Sequence, residues 1–201
     1  MAVVALIITR FSLCFIPLRP LAKRDLRDLG LTKFAKEKCF LLKSMSYAPI
    51  RHEEGLIFST YKALIGSSGG QSRLGQLKDW CGPDFDGLIL LDECHKAKNV
   101  KLNEKGEAVM DLSSKSAAAV VELQTYLPRA RVVYCSATAV SEPFSLGFMS
   151  RLGLWGYGTE HQSGFLGFLE SIKRLGCGTL GRHCCLSCIL KYVARILILC
   201  C

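Results

Sequence analysis

Residues 87–91, Gly-Leu-Ile-Leu-Leu, form an unbroken apolar run with acid on both sides, Asp86 before it and Asp92-Glu93 after it. The run is too short for a buried helix and does not alternate with polar residues. It therefore reads as a strand buried on both faces. Such a strand needs helices above and below it, so the fold class is α/β with a mostly parallel central sheet. Two further runs fit the same layer. Leu56-Ile57-Phe58 follows the polar stretch Arg51–Glu54, and Arg131-Val132-Val133-Tyr134-Cys135 ends at Ser136. Between the second and third runs lies a helix pattern. Ser113 or Ser114 caps it, Ala117, Val120, Leu123 and Leu127 form one stripe, and Pro128 stops it. Gln71–Trp80 gives a weaker helix after a Gly66–Gly70 turn. Strand, helix and strand make a βαβ unit, whose crossover is right-handed. The polar interval Lys96–Leu112 is expected as an exposed loop at the carboxyl edge of the sheet, where open α/β sheets place ligands.

Half of the 201 residues are apolar and 21% are charged, which excludes a disordered or fibrous chain. The net charge of +9 sits mostly in the ends. Residues 1–24 hold four basic groups and no acid, and residues 160–201 hold five basic groups and two acids. A nearly balanced middle speaks for a solubility surplus and not for a nucleic-acid stripe across the body. Six of the 11 cysteines fall at 177, 184, 185, 188, 200 and 201. The odd count and irregular spacing argue against a disulfide framework and point to a reducing compartment. His183, Cys184, Cys185, Cys188, Cys200 and Cys201 lack the paired C-x-x-C spacing of a closed zinc site, so zinc is not expected. His52 with Glu53 and Glu54 lacks the metalloprotease spacing and is expected as a surface charge cluster.

The first twenty residues, MAVVALIITRFSLCFIPLRP, have no basic residue ahead of the apolar run, and Arg10 interrupts it. That is not the layout of a secretory signal; basic residues without acid before Asp25 are compatible with a mitochondrial transit segment. No apolar stretch reaches the ~20 residues that cross a bilayer. Cys188–Cys201 comes nearest and is broken by Lys191 and Arg195, so no membrane span is expected.

The chemistry is concentrated in Asp92-Glu93-Cys94-His95, directly after the apolar run. Two adjacent carboxylates at the end of a buried strand are costly unless they serve a purpose. One carboxylate suits Mg²⁺ held through water, and the next can orient a water for attack on a γ-phosphate. Helix capping is the structural alternative. Ser136-Ala137-Thr138 follows the next strand. Adjacent parallel strands end side by side, which would bring both hydroxyls toward His95; turn formation is the alternative use.

These two motifs resemble motifs II and III of superfamily 2 helicases, whose core is a pair of RecA-like lobes. Longer strings narrow the resemblance to the strawberry notch family. They are Lys23-Arg-Asp-Leu-Arg-Asp-Leu-Gly30, Leu56-Ile-Phe-Ser-Thr-Tyr-Lys-Ala-Leu-Ile-Gly66, Trp80-Cys-Gly82, Phe85 through Asn99, Val132 through Thr138, Ser141-Glu-Pro143 and Arg151 through Thr159. The resemblance covers residues 22–180. It implies a helicase-like ATPase-type domain there, flanked by divergent segments 1–21 and 181–201. It also implies a nuclear regulator of transcription that works with transcription or chromatin proteins, with nucleic acid as a further partner and Mg-ATP as the cofactor. Carried over by residue, Asp92 holds Mg²⁺ through water and Glu93 positions the attacking water. His95, Ser136 and Thr138 couple the nucleotide site to domain motion. Thr60 and Tyr61 match a segment near the nucleic-acid backbone, although an N-cap and a packed ring explain that pair as well.

The chain departs from the pattern in several places. A phosphate-binding loop needs G-x-x-x-x-G-K-[ST], and the 201 residues contain no Gly-Lys pair. Gly66-Ser-Ser-Gly-Gly70 lacks the lysine. The second lobe is missing, the pattern stops after Leu180, and Ala139-Val140 stands where the family has Gly. The expectation is an incomplete RecA-like P-loop NTPase lobe that regulates transcription without ATPase activity of its own. The alternatives are a competent ATP-dependent helicase, or a binding-only fragment that competes with a longer relative.

Overall fold

The computed structural model describes residues 11–14, 19–104, 106–135 and 143–174. They fall into two compact units. Of these, one holds 11–14, 19–93 and 122–135, and the other holds 94–104, 106–121 and 143–174.

The first unit is built on five parallel strands. β1 (Phe11–Cys14) leads to α1 (Arg19–Asp28), α2 (Thr32–Glu37) and β2 (Cys39–Leu41). Then come β3 (Gly55–Phe58), α3 (Tyr61–Leu64), the short hairpin β4 (Ser67–Ser68) and β5 (Gln71–Ser72), and α4 (Arg73–Cys81). β6 (Leu88–Leu91) is followed by α5 (Lys115–Tyr126), whose last turn belongs to this unit, and β7 (Arg131–Tyr134). The strand order is β2-β3-β1-β6-β7, every pairing parallel.

Alternation along each strand splits the side chains between two faces. Phe58 packs with Ala22 and Leu26 of α1, Ala35 of α2 and Cys39 of β2, and Leu31, Phe34, Leu41, Leu56 and Leu90 close round them. Ile57, Ile89 and Leu91 point to the other face and are fully buried. Each such side chain stabilises the fold by roughly 1.5–3 kcal/mol. α4 and the end of α5 lie together, with Lys78 Nζ 2.9 Å from Glu122 Oε1 and 4.5 Å from the Tyr126 ring centroid. The Tyr134 hydroxyl donates to the Gln124 side-chain oxygen and ties β7 to α5.

The three strands expected from the apolar runs are β3, β6 and β7. The helix expected after Ser113-Ser114 is α5, with the Ala117 N–H donating to Ser114 Oγ at 3.3 Å. The expected Gly66–Gly70 turn is the β4–β5 hairpin. Its two-residue loop, Gly69-Gly70, has φ of 57° and 78°, the double positive φ that glycine supplies without strain. Ser72 caps α4 through the Gly75 N–H at 2.9 Å. His52 stacks on Phe40, ring centroids 3.6 Å apart, and Glu54 pairs with Lys38 at 3.1 Å, so the cluster around His52 is a surface network. Two strands have no counterpart in the apolar runs. β2 is short. β1 comes from the segment 1–21 set apart as divergent, and it occupies the middle of the sheet.

The second unit opens with a 3-10 turn, Cys94–Ala97. Lys96–Leu112 is more ordered than an exposed loop. Ala97 and Val100 are buried, Leu102 bridges to Ala108, and a second 3-10 turn covers Met110–Leu112. A 3-10 turn at Pro143–Leu146 and α6 (Phe165–Ile172) complete the described part. Its core is aromatic: Trp155 meets Phe165 edge-on at 4.7 Å and Phe168 at 5.3 Å, and Phe148, Phe168 and Ile172 are all buried. No helix among the described residues is long and apolar enough to cross a membrane.

Candidate active site

Chain direction locates the crevice of the first unit. From β1 the chain crosses β3 to reach β2, and from β3 it crosses back over β1 to β6 and then β7. Right-handed connections running in opposite directions place α1 and α2 on one face and α4 and α5 on the other. The strand order therefore reverses between β1 and β6, and the carboxyl ends of those two strands flank the ligand crevice of an open α/β sheet.

Asp92 and Glu93 leave β6 at that edge. Their exit is held in place by neighbours. Leu91 is level with Tyr134 of β7, and its carbonyl accepts the Cys135 N–H at 2.9 Å. The Asp92 carbonyl accepts the Tyr61 hydroxyl at 2.9 Å. Glu93 has φ of 49°, the one left-handed non-glycine residue recorded among the described residues. A residue in that region carries about 1–2 kcal/mol of strain, which surrounding structure must hold in place. The left-handed step turns the chain from strand into the Cys94–Ala97 turn. Cys94 and Ala97, three residues apart, bury their side chains, while Asp92, Glu93 and His95 stay half-buried.

Thr60 and Tyr61 have visible structural duties. Thr60 Oγ1 accepts the Ala63 N–H at 3.0 Å and caps α3. The Tyr61 ring is buried, and its hydroxyl reaches across to Asp92. This bond ties the turn after β3 to the end of β6. Nothing in the local sequence signals it, because the partners are distant in the chain. Ser136 and Thr138 lie outside the described residues, as do the cysteines from 177 to 201. The parallel register of β6 and β7 runs as far as Cys135, directly before Ser136.

The donors at this edge suit one half of a Mg-nucleotide. Mg²⁺ accepts one or two carboxylates and takes its other ligands from water and phosphate oxygens, so Asp92 is the residue that would hold it here. Among the described residues no cluster of three or more His, Cys, Asp or Glu side chains could hold a metal alone. The phosphates need a glycine-rich turn ending in lysine, and this sequence has no Gly-Lys pair. Carboxylates able to hold a metal are thus present at this edge, while the glycine-lysine turn that would hold a triphosphate is not found in the sequence.

Elsewhere in the unit, Arg73 and Cys81 are chemically distinctive. Arg73 is 4% exposed and donates to Ser46 O at 2.8 Å, Met45 O at 2.6 Å and Gln76 Oε1 at 2.6 Å. Sequence reasoning passed over it, because a lone arginine opening a helix looks solvent-facing. Burial pushes the Cys81 thiol up from 9.0 to about 12, which lowers its thiolate fraction near neutral pH.

Comparison with known proteins identifies the family. The family model described as P-loop containing NTP hydrolase pore-1 matches residues 17–198. The chain is 46% identical over 163 residues to protein strawberry notch homolog 2 of Homo sapiens, covering 79% of this chain and 11% of that protein. It is 46% identical over 165 residues to protein FORGETTER 1 of Arabidopsis thaliana, covering 79% and 12%. It is 44% identical over 170 residues to protein strawberry notch of Drosophila melanogaster, covering 79% and 10%. The chain thus spans about a tenth of the length of these curated relatives. No solved structure matches.

Proposed function

This chain belongs to the strawberry notch family, with a helicase-like P-loop NTPase domain, and from that premise we propose that it acts as a nuclear regulator of transcription without hydrolysing ATP itself. The observation that carries the proposal is the mismatch at the sheet edge. Asp92 and Glu93 follow directly on β6, where a Mg²⁺ and water site would need its carboxylates, yet the sequence has no Gly-Lys pair to hold the phosphates. Without backbone amides and a lysine to neutralise it, a triphosphate would meet two carboxylates and be repelled.

On this reading Asp92, Glu93 and His95, with Ser136 and Thr138, keep the residue types of the two motifs without turning over ATP. The output of the domain is contact with transcription or chromatin proteins, and with nucleic acid, through residues 22–180. Segments 1–21 and 181–201 flank that domain, and β1 shows the first of them contributing to its sheet.

Calorimetric titration of the full chain with Mg-ATP, paired with a phosphate-release assay, tests this. The expected outcome is no saturable binding and no turnover, with Glu93→Gln indistinguishable from the parent. Micromolar binding together with turnover abolished by Asp92→Ala or Glu93→Gln would establish the rival ATPase. A fluorescent fusion excluded from nuclei would overturn the assigned compartment.

A further inference from the structure

One face of α4 borders an open cleft. Ser72, Gly75, Gln76, Asp79 and Trp80 follow the three- and four-residue spacing of a single helical stripe. They face Tyr47, Pro49 and Ile50 across a space of about 340 Å³.

The cleft has fixed walls. Arg73 and Gln76 clamp the opposite segment, because Gln76 also donates to Ser46 O at 2.9 Å and to Ala48 O at 2.5 Å. The Arg73 guanidinium lies 3.7 Å from the Tyr47 ring centroid and holds that ring in place. Both buried polar groups are spent on the wall. At the other end, Trp80 Nε1 donates to His52 O at 2.7 Å, which fixes the indole. Gly75 leaves the middle of the floor empty. A Cβ there would meet only Ser72 Oγ at 3.0 Å, so a larger side chain would extend into free space.

Charge selects the occupant. Asp79 is the one charged residue lining the cleft, and it is exposed beside Trp80 near the carboxyl end of α4. The helix dipole favours a cation at that end. The buried Arg73 and the helix amino terminus make the far end positive. A guanidinium suits the Asp79 end best, since it forms forked bonds to a carboxylate and stacks flat on an indole.

We propose that this cleft binds a peptide segment bearing a single arginine, which places its guanidinium at Asp79 and its stem along Trp80 and Ile50. The proposal uses no nucleotide site and stands whether or not the chain binds ATP.

Fluorescence anisotropy of a dye-labelled Gly-Arg-Gly peptide, titrated with the full chain, is the test. Saturable binding is expected, weaker by about tenfold for the citrulline peptide and by about fivefold for Asp79→Asn. Gly75→Leu should abolish binding while circular dichroism shows helix retained, since leucine is the better helix former. Absence of saturation, equal affinity for citrulline, or an unaffected Asp79→Asn variant would overturn the proposal. Should Gly75→Leu lose its fold, the Asp79→Asn and citrulline results decide alone.

Discussion

The left-handed backbone at Glu93 makes a quantitative prediction. A φ of 49° brings Cβ against the backbone and costs about 1–2 kcal/mol for any residue with a side chain. Glycine avoids that cost but loses about 0.5–1 kcal/mol more conformational entropy on folding. Glu93→Ala and Glu93→Gly both remove the carboxylate and whatever it touches, so their difference isolates the backbone. At an ordinary helix or strand position alanine is the more stable of the two. At position 93 the order reverses, with glycine ahead by about 0.5–1 kcal/mol. Urea unfolding of both variants, compared at a shared slope, measures this gap directly. If the alanine variant proved equal or more stable, β6 would leave the sheet without a left-handed step. The placement of Asp92 and Glu93 derived from that step would then fail.

Replacing Arg73 by Met keeps bulk but leaves the carbonyls of Met45 and Ser46 and the Gln76 side chain without their donor. A loss of about 3 kcal/mol is expected in denaturant unfolding, and a loss below about 1 kcal/mol would mean the clamp is dispensable. The Cys81 thiol should resist alkylation at pH 8.5, where an exposed thiol reacts readily. Its raised pKa also sets a stability slope. Between about pH 9 and 12 the unfolded thiol gives up its proton while the folded one keeps it. Cys81 should therefore lower stability with rising pH in that window, by up to about 1.4 kcal/mol per unit, and Cys81→Ala should make the measured slope shallower by that contribution.

The elements visible in the sequence are those whose fate depends on near neighbours. The apolar run ending at Leu91 must be buried on both faces wherever it sits, and the acids after it must emerge at a sheet edge. Capping serines, the Gly69-Gly70 hairpin loop and the stripe of α5 are local in the same way. The string from Phe85 to Asn99 was distinctive enough to place the chain in its family. What the pattern left open needed partners far along the chain. Phe11–Cys14 has little strand character of its own and becomes the central strand because β3 and β6 offer it backbone bonds on both edges. The Tyr61 hydroxyl finds the Asp92 carbonyl only once β3 and β6 are laid side by side. Arg73 is buried because a loop after β2 supplies the carbonyls that satisfy it, and the cleft beside it exists only where that loop meets α4. Local pattern decides which residues leave water. Tertiary pairing decides which of them meet.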